Sequence, residues 1–246
     1  MDTLVWGHRG ASGYVPENTL PAFMKAFEMG ADGIELDVQL TKDGEMVVIH
    51  DETVDRVSDG KGFVKDYTLR ELKRLDVSRV MPDYGTVRIP TLSEVLEELR
   101  PKNIEINIEL KTGLIFYPGL EQKVIDLVSD LQMIDRIWCS SFNHETVCRI
   151  KKICPQMRCG FLITDIMMDV ADYTKRYGMD ALHPAEYHLQ DPLFIERAKA
   201  QKLKLHVWTV NQEECMRSFA LQGVDALITN YPDVARNVLA GLNHHI

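Results

Sequence analysis

Gly33-Ile34-Glu35-Leu36-Asp37-Val38-Gln39-Leu40 alternates apolar and polar side chains, the spacing of a β-strand whose successive residues point to opposite faces. Ile34, Leu36 and Val38 share one face, while Glu35 and Asp37 share the other. The split recurs in Ile104-Glu105-Ile106-Asn107-Ile108-Glu109-Leu110-Lys111, with Glu105, Asn107, Glu109 and Lys111 on the polar side. Two half-exposed antiparallel strands would carry this pattern with their polar faces wet. In a closed parallel barrel, the apolar face packs on surrounding helices and the polar face points inward. An uncompensated carboxylate there costs several kcal/mol or takes up a proton through a shifted pKa. Glu35, Asp37 and Glu109 then call for a cation, and oxygen-only ligands in an open site suit Mg²⁺ or Ca²⁺.

The rest of the chain favours the barrel. Strand patterns at Leu4–His8, Gly33–Leu40, Met46–His50, Glu105–Leu110, Ile137–Phe142, Arg158–Ile163, Ala181–Pro184, Lys204–Val210 and Asp225–Thr229 alternate with helical ones. The helices are expected at 19–29, with Asn18 or Thr19 as N-cap, and at 91–99, 119–131, 144–153, 168–177, 191–201, 212–221 and 233–240. Such alternation predicts an α/β fold, a TIM-type (β/α)8 barrel. Nine strand candidates stand where eight are needed. The tight Lys42-Asp43-Gly44 turn leaves no room for a crossover helix, so one strand there is expected to be an antiparallel excursion.

Residues 51–90, after the third strand, break the rhythm with charge, Gly and Pro and only a brief helical pattern at Leu69–Leu75. A structureless connection of that length is unusual in a compact domain. The expected organisation is therefore a single barrel domain over 1–246 with 51–90 as a small inserted subdomain over the mouth that His50 faces.

A formal charge of −9 argues against a nucleic-acid partner, which calls for a basic face, and against steady adsorption to anionic membranes. The five cysteines (139, 148, 154, 159 and 215) form no Cys-x-x-Cys pair, which fits reduced thiols in a cytoplasmic protein. Leu4-Val5-Trp6 begins a strand almost at Met1, so no signal peptide is expected, and no apolar run reaches the length of a membrane span. A homodimer stays open.

Chemistry concentrates at strand ends. A lone histidine is more often structural than catalytic, but His8 and His50 both stand at strand ends beside the carboxylates, as an acid and a base near neutral pH would. Arg9, an ordinary surface charge in isolation, is placed beside His8 to fork a phosphoryl group, and Lys111 faces the same way as Glu109. The grouping points to phosphate ester chemistry.

His8-Arg9-Gly10, Pro16-Glu17-Asn18-Thr19, Glu35-Leu36-Asp37-Val38, Asp43-Gly44 and Val48-Ile49-His50-Asp51 together resemble the glycerophosphodiester phosphodiesterase family. Pro90-Thr91-Leu92, Ile108-Glu109-Leu110-Lys111, Ser140-Ser141-Phe142, Trp208-Thr209-Val210-Asn211 and Ile228-Thr229-Asn230-Tyr231-Pro232 extend the resemblance along essentially the whole chain. It implies a TIM-barrel hydrolase that cleaves a small-molecule glycerophosphodiester to sn-glycerol 3-phosphate and an alcohol. One divalent metal ion, Mg²⁺ or Ca²⁺ with Mn²⁺ also compatible, would be held by Glu35, Asp37 and Glu109. His8 and His50 would be the acid-base pair, Arg9 and Lys111 would touch the phosphate, and Trp208 would wall the substrate or else pack in the core. A lysolipid- or phosphoinositide-cleaving barrel, a metal-dependent sugar isomerase or aldolase and a non-catalytic barrel are the competing readings.

The remaining candidates read as structural. Phe142 and Tyr187 are assigned to packing, His144 to a helix start and His206 to a hydrogen-bonded core position, with His183 a weaker candidate for the site. Arg149, Lys151 and Lys152 read as a solvated helix face, Cys139 and Cys159 as inert core thiols, and His244 and His245 as a frayed tail.

Overall fold

Eight parallel strands close on themselves: β1 (Leu4–His8), β2 (Gly33–Leu40), β4 (Glu105–Leu110), β5 (Ile137–Ser141), β6 (Arg158–Ile163), β7 (Ala181–Pro184), β8 (Lys204–Val207) and β9 (Ala226–Thr229). Each pairs with the next in that order, and β1 pairs with both β2 and β9 to complete the ring. The ninth strand, β3 (Met46–Val48), runs antiparallel to β2 beyond the Thr41–Gly44 turn, the excursion expected from that turn. This is the TIM-type barrel, obtained from a computed structural model that describes residues 3–243. His244 and His245 lie outside the described residues.

The helices α1 (Leu20–Glu28), α3 (Leu92–Leu99), α4 (Leu120–Asp130), α5 (His144–Ile153), α6 (Val170–Arg176), α7 (Phe194–Ala200), α8 (Glu213–Gln222) and α9 (Pro232–Asn243) fall between or after the barrel strands, and α2 (Leu69–Leu72) lies in the insertion. Thr19 caps α1 by accepting from the Ala22 backbone N–H. Thr91 and Glu94 form a reciprocal capping box at the start of α3. Ile34, Leu36 and Val38 of β2 and Ile106, Ile108 and Leu110 of β4 join one continuous core between strands and helices. Among the described residues, no helix is long and apolar enough to cross a membrane.

Three strands end earlier than their sequence patterns predict. The third stops at Val48 and not at His50, because the Gln39 side-chain amide takes the carbonyls of Ile49, His50 and Asp51 at 3.2, 3.1 and 2.6 Å. The Ser141 hydroxyl turns the chain after β5 by donating to Leu110 O and accepting from Asn143 N. After Val207 only a single bridge, Trp208 to Ala185, continues the β8 pairing.

Residues 51–90 contain α2 and two short 3₁₀ turns, Val64–Asp66 and Pro82–Tyr84. Val54, Val57, Val64, Leu72, Val77, Val87 and Ile89 from this segment pack with Val47 and Ile49 as a satellite core separate from the main one.

The barrel interior has two layers. Towards the N-terminal ends of the strands, Trp6, Trp138, His183 and His206 fill the lumen, with the His206 ring 4.4 Å from Trp6 and 4.6 Å from both Trp138 and His183. Two glycines make room for them. A Cβ at Gly33 would meet the Trp6 ring at 2.5 Å, and one at Gly160 would meet the His183 ring at 2.5 Å. Above this floor, the C-terminal ends of β1, β2 and β4 bring the polar faces together.

Candidate active site

Glu35 and Asp37 from β2 and Glu109 from β4 each offer an oxygen, and the three oxygens lie within 4.8 Å of one another, all buried. Register explains the convergence: Glu35 lies opposite His8 on one side and Asn107 on the other, and Asp37 lies opposite Glu109. Lys111 Nζ donates to Glu109 Oε1 at 2.8 Å and sits 3.7 Å from Asp37 Oδ1. Arg9 adopts a left-handed backbone, φ 54°, that turns its N–H onto Glu35 Oε2 at 3.0 Å. Its guanidinium lies 3.5 Å from Asp37 Oδ2 and donates to Glu17 Oε1 at 2.9 Å.

Both histidines are held by one ring nitrogen. His8 Nδ1 donates to Asn230 Oδ1 at 2.7 Å, and His50 Nδ1 donates to Asp51 Oδ1 at 2.6 Å, since a carboxylate can only accept. Neither Nε2 has a hydrogen-bond partner among the described residues, so each is free to exchange a proton. Both rings line one cavity with Arg9, Glu35, Asn107, Glu109, Phe142 and Trp208. All eight site residues expected from sequence are thus gathered at one end of the barrel. A larger cavity of about 430 Å³ between α6 and α7 shares no residue with this one.

Charge in the cluster is unequal. Burial, then the charges of Asp37 and Glu109, raise the Glu35 carboxyl well above its ordinary value; burial and Asp37 raise Glu109 as well. Burial opposes ionisation of Asp37 too, but Lys111 and Arg9 outweigh it and hold that carboxyl down to about 2. Burial and the neighbouring Arg9 lower His8 to about 4, so its imidazole is neutral in ordinary buffers. A divalent cation fits this donor set. Asp37 Oδ1 is buried without a hydrogen-bond partner among the described residues, and a cation would remove the repulsion that keeps Glu35 and Glu109 protonated.

Several placements differ from the sequence reading. Phe142, assigned to packing, is 40% exposed, lines the cavity edge-on to Trp208 at 5.5 Å and lies 6.0 Å from Lys111 Nζ. Trp208 is both wall and anchor, lining the cavity while its Nε1 donates to His183 O at 2.7 Å. His183 sits in the floor, its Nε2 3.0 Å from His206 Nδ1, and burial lowers it to about 3. Arg149 and Lys151 are paired, with Glu121 and Asp180, and are not merely solvated. His144 starts α5, and the Tyr187 hydroxyl donates to Thr164 O. Cys139 is fully buried, which pushes its thiol up to about 12; burial raises Cys159 as well.

Sequence reasoning gave no role to Asn18, Asp51, Asn230, Glu17 or Arg56. The first four lie inside quoted motifs, so the signal was present as residues without assigned partners. Asn18 Nδ2 donates to Asp37 Oδ2 at 2.8 Å, and Arg56 bridges Asp51 and Glu17.

Residues 8–234 match the model of the glycerophosphoryl diester phosphodiesterase family. The chain is 44% identical to a glycerophosphodiester phosphodiesterase of Caldanaerobacter subterraneus subsp. tengcongensis, over 97% of this chain and 98% of that protein. It superposes on a glycerophosphodiester phosphodiesterase from Agrobacterium tumefaciens with a TM-score of 0.84 at 31% identity, covering 95% and 98% of the two chains. An Oleispira antarctica phosphodiesterase in complex with the product sn-glycerol-3-phosphate gives a TM-score of 0.85 at 28% identity, covering 96% of each chain. The chain belongs to the glycerophosphoryl diester phosphodiesterase family.

Proposed function

We propose, from that membership, that this glycerophosphodiester phosphodiesterase cleaves its substrate to sn-glycerol 3-phosphate and an alcohol with a divalent metal and two histidines. The observation that carries the reading is the convergence of His8, His50 and the buried Glu35, Asp37 and Glu109 on one cavity. Glu35, Asp37 and Glu109 would hold the ion, which when bound stabilises phosphoryl charge and favours deprotonation of the attacking hydroxyl. Mg²⁺ and Ca²⁺ both suit an all-oxygen donor set.

Arg9 and Lys111 supply the positive charge that binds and orients the phosphate. The different partners of the two rings assign their roles. Neutral His8, anchored on the uncharged Asn230 amide, takes the proton from the nucleophile at Nε2. His50, anchored on the Asp51 carboxylate, is suited to carry a positive ring and gives a proton to the leaving alcohol from Nε2. Phe142 and Trp208 form an apolar wall for the glycerol and keep water from that side.

The reading is tested by following alcohol release from glycerophosphocholine with metal, with EDTA, and in His8→Ala and His50→Ala. Full activity after rigorous chelation removes the metal, and undiminished activity in either variant removes that histidine's role.

One observation favours a second substrate class. Leu114 and Phe116 after β4, and Ile166 and Met168 after β6, are exposed apolar residues on the rim that carries the site. An apolar leaving group would find partners there, so rates on lysophosphatidylcholine and glycerophosphocholine should be compared directly.

A further inference from the structure

Arg56 joins the insertion to both halves of the site. One edge of its guanidinium, Nε and Nη2, donates to Asp51 at 2.6 and 3.1 Å. The other edge, Nη1 and Nη2, donates to Glu17 at 2.9 and 2.7 Å. Asp51 Oδ1 also accepts from His50 Nδ1, and Glu17 Oε1 also accepts from Arg9 Nη1. A continuous chain thus runs His50–Asp51–Arg56–Glu17–Arg9. Only a planar fork with donors on two edges can hold two carboxylates this way; a lysine is a single point charge.

The backbone around Arg56 is fixed from inside the insertion. Val54 and Val57 on either side are buried in the satellite core, and Arg79 Nη1 donates to the carbonyls of Asp55 and Ser58 at 2.8 and 3.3 Å. The Arg56 side chain is 41% exposed. Exposed ion pairs contribute only about 0–1 kcal/mol to folding, so stability does not account for four directed hydrogen bonds.

We propose that Arg56 is a positioning residue through which the insertion orients the His50 ring, by Asp51, and the Arg9 guanidinium, by Glu17. The proposal rests on the roles given above to His50 and Arg9. It makes the inserted segment a brace for the site, with a part in the reaction besides covering the mouth.

The test combines kinetics on glycerophosphocholine with ¹⁵N NMR of the histidine rings in the metal-loaded enzyme. Removal of a residue that orients such a site typically costs about 10–100-fold, so R56A should lower kcat by that factor and raise KM while leaving Tm nearly unchanged. R56K should recover only part of the loss. In the H50A background the R56A step in kcat should largely vanish, because the two changes act on one ring. In wild type the His50 signals should report hydrogen on Nδ1 alone, and in R56A a mixture of tautomers. A kcat within twofold of wild type, an R56A step undiminished in H50A, or an unaltered His50 spectrum would each overturn the proposal. If R56A unfolds, R56Q removes the double fork and is read in the same ways. Should wild type prove inactive on every glycerophosphodiester, the functional reading fails, and the His50 spectra still decide whether Arg56 orients the ring.

Discussion

The two layers of the barrel interior bury titratable groups under opposite regimes. In the floor, His183 and His206 are surrounded by indoles, and burial strips both of charge. In the layer above, Glu35, Asp37 and Glu109 are just as buried, yet Lys111, Arg9 and Asn18 surround them and favour the ionised form. The same eight strands carry both layers, so what separates them is the company each group keeps. Burial alone yields inert imidazoles; burial with directed positive charge yields a site that asks for a cation.

The sharpest way to break that contrast is to remove imidazoles from each side of it. His8→Ala or His50→Ala should lower kcat by roughly 10²–10⁴, the usual worth of a proton-transfer group. His206→Phe should alter the rate far less while shifting Tm; equal losses in steady-state kinetics would erase the distinction. Trp6→Ala, which empties the floor, should cost about 3–5 kcal/mol in urea unfolding, and a smaller cost would mean that the floor is loosely packed.

Metal binding should separate the layers next. A divalent ion at 100 times its Kd should stabilise the fold by about 2.7 kcal/mol, read by calorimetry. Without metal, Glu35 and Glu109 keep protons that the unfolded chain has lost, because their folded pKa values are raised. Apo stability should therefore fall as pH rises above the ordinary carboxylate value of 4.5. Asp37, lowered to about 2, has the opposite sign and loses its contribution only as pH falls through that value. An apo Tm that stays flat above the carboxylate range would show that the cluster is not frustrated.

The smallest effect concerns His8. Its pKa is lowered from 6.5 to about 4, so the acidic limb of kcat/KM should lie below pH 6.5. Its stability contribution is whole above 6.5 and declines towards 4 as pH falls. Arg9→Ala removes one cause of the lowering and should move the limb upward in a pH–rate profile. A limb that stays in place would assign the shift to burial alone.

Much of this was legible because it is periodic. Parity alone put Glu35, Asp37 and Glu109 on inward faces, and strand–helix alternation fixed the barrel around them. The Lys42-Asp43-Gly44 turn even marked the extra antiparallel strand. The satellite core was not legible, since Val54, Val64, Leu72, Val77 and Val87 are isolated among charged residues and show neither strand nor helix spacing. Nor were the partners of the histidines. Asp51 adjoins His50, but the link from Arg56 to Glu17 crosses 39 positions, and that from His8 to Asn230 crosses 222. Phe142 was misassigned because an aromatic just past a strand reads alike in a core and in a pocket wall.

That last span has a consequence for timing. His8 leaves the ribosome first, yet its anchor Asn230 follows β9, the strand that seals the ring against β1. A nascent chain halted before β9 can hold Glu35, Asp37 and Glu109 while its first histidine swings unanchored. Turnover should therefore appear late in synthesis and all at once, making catalytic activity a reporter of ring closure.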